Sequence, residues 1–484
     1  MTLLKLMAES IYVWLFCSFV FFSSCTSLAA SLPSKEATAQ RILDLQRAMN
    51  RVPGMSAAIW QDGEIIWHGE TGYRDLSKEL KVDAKTRFRL ASVSKVFAAS
   101  AAAKLMEQGK LNVDAPLRDY LPWINPAWSH ITVRQLAAHT SGAPHYQAID
   151  VLRGGHRFLT AKEAIDTFQY RDLLFASGSQ YSYSSYGYTL LTGVIEAVTK
   201  QHYLDYLQKE IVTDLPIQAD MAEKYDGNMS RAYELTSDQV KEAPAHDYSY
   251  SWGGAGMTAT ALDLADFGGR MLDGKVLSTK SLTWLQQETK LNNGDPVAER
   301  DFRLGFGWRV GEDDHGQPIM HHAGVTSGAR SVIILFPKQR MAISLLSNAS
   351  WISAIEQTAL SIAEAFNTLP RVENTPSCPL NLRHYQGVFS DVQIQGTISF
   401  QLREGRCEAD MQVDNALGKW IGNSAKSKVS SVRLIGYDNG NLARAAMVTP
   451  IGSFYLQGEM PVADGWKLSA KINANRRLQI RLHE

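Results

Sequence analysis

Ser92 and Lys95 stand three residues apart in the run Arg89-Leu-Ala-Ser-Val-Ser-Lys-Val-Phe-Ala-Ala-Ser100. Good helix formers continue to Gln108 and Gly109 stands where a helix would stop, so the spacing predicts a helix opened by Ser92 and Lys95. On its first turn, side chains three apart share a face. An alkyl ammonium beside a hydroxyl lowers the cost of removing the hydroxyl proton, provided the lysine is buried enough to shift its own pKa. Ser-x-x-Lys therefore reads as an acylating serine with its activator. The competing reading is an N-cap serine followed by a solvated lysine, and the rest of the chain has to displace it.

Two further stretches carry chemistry. Residues 175–188 hold Tyr181, Tyr183, Tyr186 and Tyr188. A tyrosine is a poor base at its free pKa of about 10, but a nearby ammonium favours the phenolate and brings it within reach of a serine proton. As core residues the same tyrosines need no chemistry. Residues 320–337 begin Met320-His-His-Ala-Gly324. Adjacent His321 and His322 on a strand point to opposite faces, a poor arrangement for a metal. The chain has no Cys-x-x-Cys and no His-Glu-x-x-His, so neither metal nor cofactor is expected. The glycine-rich run 252–257 lacks the Gly-Lys-Ser/Thr that a phosphate loop would carry next.

The elements that must position these residues follow from periodicity and punctuation. Residues 36–49 read as an amphipathic helix, and 55–60 and 64–67 as strands joined by Asp62-Gly63. A short helix before Gly142 and Pro144, a long helical pattern over 189–212, and a capping box at Thr260-Ala-Leu-Asp263 come next. Residues 320–337 read as strand, turn and strand, 341–346 as the strand that ends the sheet, and 353–366 as a helix packing back on it. Beyond Arg371 the texture changes: Pro376 and Pro379 punctuate a linker, and alternation at 397–402 and 477–482 predicts short strands.

With 484 residues, 45% hydrophobic and 20% charged, the chain exceeds what a single core organises. Its formal net charge is zero and it has no basic block with interleaved aromatics, which argues against nucleic acid as a partner. Lys5, the apolar run 11–22 and the small residues after it form an export signal, since about 20 apolar residues are needed to span a bilayer. Cleavage after Ala29 or Ala30 would free the protein into the periplasm. Phe22-Ser-Ser-Cys25 loosely resembles a lipoprotein signal, which would attach the chain to a membrane through lipidated Cys25. Of four cysteines, Cys378 and Cys407 lie in the folded part, where one disulfide is open to them, but sequence does not give the geometry.

Ser92-x-x-Lys95, the leucine-aspartate-proline segment of 110–122 and His139-Thr-Ser-Gly-x-Pro144, in that succession, resemble the serine β-lactamase-related family of class C β-lactamases, D,D-peptidases and esterases. Residues 50–67 and 174–191 are most similar to its mitochondrial β-lactamase-like members and their bacterial relatives. The resemblance covers residues 45–368. It implies an α/β (α+β) fold: a mixed sheet flanked by helices, with a helical subdomain and the site between them, followed by a small β-rich C-terminal domain. The expected organisation is an export signal at 1–30, a hydrolase domain at 36–368, a linker at 369–380 and the β-rich domain at 381–484.

Register against the family selects Tyr183 as general base and makes His139 a structural loop residue. Ser185 stands where the family has an asparagine. His322-Ala323-Gly324 falls on the Lys/His-Thr/Ser-Gly triad, with His322 facing the leaving group or a substrate carboxylate and partly charged at neutral pH. Ala323 lacks the hydroxyl that relatives use to bind a carboxylate. The backbone N–H groups of Ser92 and Val325 would form an oxyanion hole. Ser185, His322, Ala323 and Gly324 are the expected substrate-binding positions. The expected activity is acyl transfer on Ser92 to a small-molecule or peptide substrate, peptidase-like or esterase-like, with β-lactam hydrolysis slow or absent. The alternative is a penicillin-recognising or self-assembling scaffold or sensor with little turnover.

Overall fold

The structure is a computed structural model that describes residues 34–147, 150, 156–221, 226–237, 239–367, 377–413, 415–421, 431–462, 465–473 and 476–484. The expected export signal at 1–30, with Cys25, and the linker as far as residue 376 lie outside the described residues.

Among the described residues, nine antiparallel strands form one sheet in the order Leu80–Lys81, Glu64–Asp75, Gly54–Gln61, Met341–Ser347, Ala329–Phe336, Pro318–Thr326, Arg309–Glu312, Phe302–Leu304, Ala298–Glu299. The run at 55–60, apolar but for Ser56, is buried throughout because both faces of this central strand are covered. Met341–Ser347 is buried throughout and lies beside it. That strand, expected to end the sheet, is its last long strand in chain order and sits at its centre.

Helices Lys35–Asn50 and Ile355–Glu364 cover one face, closing a core with Ile42, Ile59, Val332, Ile343 and Ile362. Helix Ala261–Leu272 covers the other, started by the expected Thr260/Asp263 capping box. It lies so close that a Cβ on Gly269 would sit 2.1 Å from the Trp60 ring. Phe267 meets Phe97 of helix Ser94–Glu107 edge-on at 4.7 Å, which joins the sheet to the helical region in one core. The pattern read over 189–212 is two helices, Ser185–Thr199 and Tyr203–Glu210. The first ends at Lys200 in a left-handed conformation, and the His202 side chain caps the second.

Eight strands, from His384–Phe389 to Arg476–His483, form a closed barrel in which those two strands pair with each other. Closure removes the exposed edges that an open sheet would carry. Arg41 of the first helix pairs with buried Glu408 at 3.0 Å, Gln46 Nε2 donates to Thr449 O at 3.0 Å, and Tyr437 donates to Ser361 O at 2.7 Å. These contacts fix the barrel against the two helices that cover the nine-stranded sheet. Cys378 and Cys407 form a disulfide that ties the chain entering the barrel to one of its strands. Among the described residues no helix is long and apolar enough to cross a membrane, and no cluster of ligating side chains could hold a metal ion.

Candidate active site

The short strand Phe88–Arg89 pairs with Met257–Ala259, and Leu90 N donates to Met257 O at 2.8 Å. Ala91 then turns the chain sharply in the left-handed region, φ 46°, a conformation that non-glycine residues adopt rarely. Ser92 follows on a single 3₁₀ turn, and the helix itself begins at Ser94, two residues later than the spacing predicted. That helix is buried on nearly every side from Ser94 to Ala103, polar Ser94, Lys95 and Ser100 included, so it runs through the core rather than over it.

Such a helix takes Lys95 out of water altogether, at 0% exposure. Lys95 Nζ lies 2.6 Å from Gly254 O, 2.9 Å from Ser185 Oγ and 3.4 Å from Ser92 Oγ, and none of these partners is a carboxylate. Burial, with the Arg309 cation as a second cause, holds its pKa well below the ordinary lysine range. The geometry suits a neutral amine: two N–H groups for Gly254 O and Ser185 Oγ, and a lone pair for the Ser92 proton. Gly254 reaches Lys95 because its loop is stripped of side chains. A Cβ there would lie 2.3 Å from Ser251 Oγ and 3.1 Å from Ser185 O. The glycine-rich run 252–257 thus serves to deliver a carbonyl.

Ser184 caps helix Ser185–Thr199 by accepting from Gly187 N. His139, itself at φ 59°, accepts Ser184 N at 3.1 Å on Nδ1 and Ser182 N at 2.9 Å on its carbonyl. Its ring stacks on Tyr183 at 4.3 Å. His139 therefore holds the strip that carries Tyr183, in keeping with a structural role. The Tyr183 hydroxyl lies near Ser92 and Ser185, and Lys95 Nζ sits 4.8 Å above the Tyr183 ring. The expected stabilisation of a phenolate is not met. Burial pushes Tyr183 up to about 12, outweighing Arg309 and Ser92, which pull it down. Lys95 is not among the influences that lower it.

Strand Pro318–Thr326 passes the Ser92 turn at Gly324. A Cβ on Gly324 would lie 2.3 Å from Leu90 O and 2.9 Å from Ser92 N, and Ser331 on the neighbouring strand donates to Leu90 O at 2.5 Å. The next strand, Arg309–Glu312, pairs only as far as His321, so beyond it the outer edge of 322–326 carries no strand partner. Val325 follows there, 51% exposed. His322 is buried, with Nδ1 2.9 Å from Ala323 O, and burial plus the nearby cations hold it well below the usual histidine range. The partial charge expected on it is therefore absent at neutral pH. Ala323 is turned away from Gly324 into the apolar core under the first helix, so it brings no side chain to Ser92.

The structure thus gathers Ser92, Lys95, Tyr183, Ser185 and Gly324, neutralises His322 and withdraws the Ala323 side chain. Three contributors were not anticipated. Gly254 supplies the carbonyl just described. Arg309, opposite His321 in register, stacks on Phe302 at 4.6 Å and bonds Glu299 at 3.3 Å, while Tyr181 donates to the same carboxylate at 2.5 Å. His145 accepts Ser185 N at 3.2 Å, and Tyr146 stacks beside it at 4.8 Å. His145-Tyr146 directly follows the Pro144 that closes the recognised loop motif, the one signal that could have drawn attention to the pair.

A family model described as Beta-lactamase matches residues 39–352. The mitochondrial serine beta-lactamase-like protein LACTB of Mus musculus is 26% identical over 427 residues, spanning 65% of this chain and 77% of the relative. The structure of a D-amino acid amidase from Ochrobactrum anthropi, solved with D-phenylalanine, is 22% identical and superposes with a TM-score of 0.59 over 65% of this chain and 92% of the amidase. An octameric penicillin-binding protein homologue from Pyrococcus abyssi, 19% identical, has a TM-score of 0.58 and covers 91% of this chain and 99% of its own.

Proposed function

The chain belongs to the beta-lactamase family of serine hydrolases, and from that premise we propose that it cleaves ester or amide bonds through an acyl-enzyme on Ser92. The observation that carries this reading is the fully buried Lys95, its amine directed at Ser92, Ser185 and the Gly254 carbonyl with no carboxylate to hold it charged. In acylation, Ser92 Oγ bonds to the substrate carbonyl carbon while its proton passes to Lys95 Nζ. The C–O or C–N bond then breaks, and the leaving group takes a proton from the ammonium, directly or through the Tyr183 hydroxyl. In the second half a water repeats the sequence, giving its proton to Lys95 and releasing Ser92. The backbone N–H groups of Ser92 and Val325 would receive the oxyanion.

The preference for peptide or ester over β-lactam substrates draws on three features: a serine at 185, an apolar and averted Ala323, and an uncharged His322. Each weakens recognition of the acylamino and carboxylate groups of a β-lactam. The apolar run 11–22 supports export, ending either in free periplasmic protein or in attachment at Cys25. Self-association is supported by the octameric homologue, which aligns with the barrel as well as the hydrolase region.

The test is intact mass of the purified protein over time with benzylpenicillin and, separately, with an activated ester, Ser92→Ala alongside. The expected result is an ester adduct that forms and clears only when Ser92 is present. A stable penicillin adduct would turn the reading to a penicillin-recognising sensor, and no adduct with either reagent would turn it to a scaffold.

A further inference from the structure

Near the nucleophile, the strand that carries Val325 is paired on one side only. Among the described residues its outer edge has no strand partner beyond His321, and just past Thr326 the chain turns back at Ser327 and Gly328. A strand end with an open edge lacks half of the ladder bonds that would fix it. Side chains supply the missing hold. Ser327 Oγ donates to Glu234 Oε1, and Gly328, at φ 66°, lies so close to strand Tyr233–Thr236 that a Cβ on it would sit 2.6 Å from Tyr233 N. One residue nearer the site, the Tyr248 hydroxyl bonds Thr326 Oγ1. Thr326 shares a strand face with Gly324, the face that meets the Ser92 turn.

Tyr248 is itself buried and gripped from two directions. The Arg89 guanidinium lies 5.6 Å over its ring, fixed by a 3.0 Å ion pair with buried Asp220, and the His246 ring packs on it at 4.4 Å. Arg89 belongs to the short strand that enters the Ser92 turn. The Tyr248 backbone opens the run that leads to Gly254: Ser251 N donates to Tyr248 O at 2.9 Å, and Gly254 N to Ser251 O at 3.0 Å. Gly254 O is the 2.6 Å partner of Lys95. One side chain thus links three segments far apart in sequence: the strand behind the nucleophile, the loop that holds the amine, and the strand that offers the Val325 N–H.

We propose that Tyr248 is a positioning residue of the acylation centre: its hydroxyl ties Thr326 to the Arg89 and Gly254 segments and so sets where the Val325 N–H stands relative to Ser92. It acts through the strand and not on the reacting atoms. Glu234 and the Gly328 contact keep the hairpin tip in place without it, so losing this one bond loosens the strand beside Ser92 and leaves the sheet intact. The inference rests on the hydrolase reading above, with Val325 in the oxyanion hole, and its test separates the two.

Turnover of p-nitrophenyl butyrate and thermal unfolding would be measured for wild type, Tyr248→Phe, Thr326→Val, Thr326→Ser and the double variant Tyr248→Phe/Thr326→Val, with Ser92→Ala as the blank. Tyr248→Phe keeps the ring under Arg89 and removes the bond, and Thr326→Val removes it from the other side. Each should lower kcat about three- to tenfold, the worth of one hydrogen bond, with KM nearly unchanged, because an oxyanion donor counts most in the transition state. The double variant should fall within about twofold of the slower single, since the bond can be lost only once. Thr326→Ser, which keeps a hydroxyl, should stay within about twofold of the wild type. If one single variant unfolds, the other carries the comparison with Thr326→Ser. Losses that multiply in the double variant would make the two residues independent packing elements and overturn the proposal, as would a rise in KM at constant kcat or no loss in either single. Turnover absent from the wild type, or surviving in Ser92→Ala, would instead refute the hydrolase reading, and the inference with it.

Discussion

Replacing Gly324 with alanine adds one methyl group where the strand crosses the nucleophile's turn, and its consequence can be worked from distances. The added Cβ would lie 2.3 Å from Leu90 O and 2.9 Å from Ser92 N, against about 3.4 Å for ordinary contact. These two are backbone atoms that cannot swing aside; the third neighbour, Ser331 Oγ at 2.5 Å, is a side chain that could turn only by giving up its bond to Leu90 O. Either the strand or the Ser92 turn must retreat by about 1 Å, and a misplacement of that size between reacting groups costs on the order of 100-fold in rate. Gly268→Ala is the matched control. Its Cβ would meet the Leu335 and Ala342 side chains at 2.7 and 2.8 Å, far along the sheet from Ser92. It should cost about 1 to 3 kcal/mol of stability and leave turnover intact. Ester turnover and thermal unfolding of both variants give the comparison. Gly324→Ala that melts like the wild type and keeps turnover within about threefold would refute the claim that the strand's close approach builds the site.

Lys95→Met should abolish turnover and, at pH 7, yield a protein more stable than the wild type. The folded-state pKa of Lys95 is depressed, so between it and the ordinary lysine range the unfolded chain binds the extra proton and wild-type stability rises with pH. The variant's advantage in urea unfolding should therefore shrink from pH 7 toward pH 10, and an advantage unchanged between them would show that Lys95 is not held neutral. Replacing both Cys378 and Cys407 with serine opens a link across a sequence separation of 29 residues and should cost about 3 to 4 kcal/mol on the chain-entropy account. Denaturant unfolding with and without reductant checks it, and a wild type indifferent to reductant would count against the bond's contribution.

What could be read from the sequence was order and spacing. Ser92 and Lys95 three apart, the Thr260 capping box, and the strand, turn and strand around Gly324 all depend on local pattern, and the structure has each of them. Burial was out of reach, because it is set by residues distant in the chain. Tyr183 and His322 carry the charges of their neighbours' surroundings rather than their own reference values. Arg309 acts on Lys95 from a strand more than 200 positions away, and nothing near it in sequence marks it out. Met341–Ser347 is the sheet's last strand in chain order, as read, but its place at the centre depends on pairing with residues 55–61, which local pattern does not give.

These departures share a direction. On the proposed reading a β-lactam carboxylate would need a cation and a hydroxyl, and the strand at 322–324 presents neither to Ser92. Arg309 remains as a full charge acting on the site, and it is engaged by Glu299, which also takes the Tyr181 hydroxyl proton. With Lys95 and His322 both shifted toward their neutral forms, the surroundings of Ser92 offer an anionic substrate little beyond an already paired guanidinium. They offer a neutral carbonyl a dry setting in which burial favours the uncharged form of the Lys95 amine. On that ground a neutral ester should be the better substrate, and an added carboxylate near the scissile bond should not improve it. Arg309→Gln separates this from the opposite view. If Arg309 served to bind substrate carboxylate, the variant would lose an anionic ester and spare a neutral one. If it acts only through the field it places on Lys95 and Tyr183, both substrates should change together.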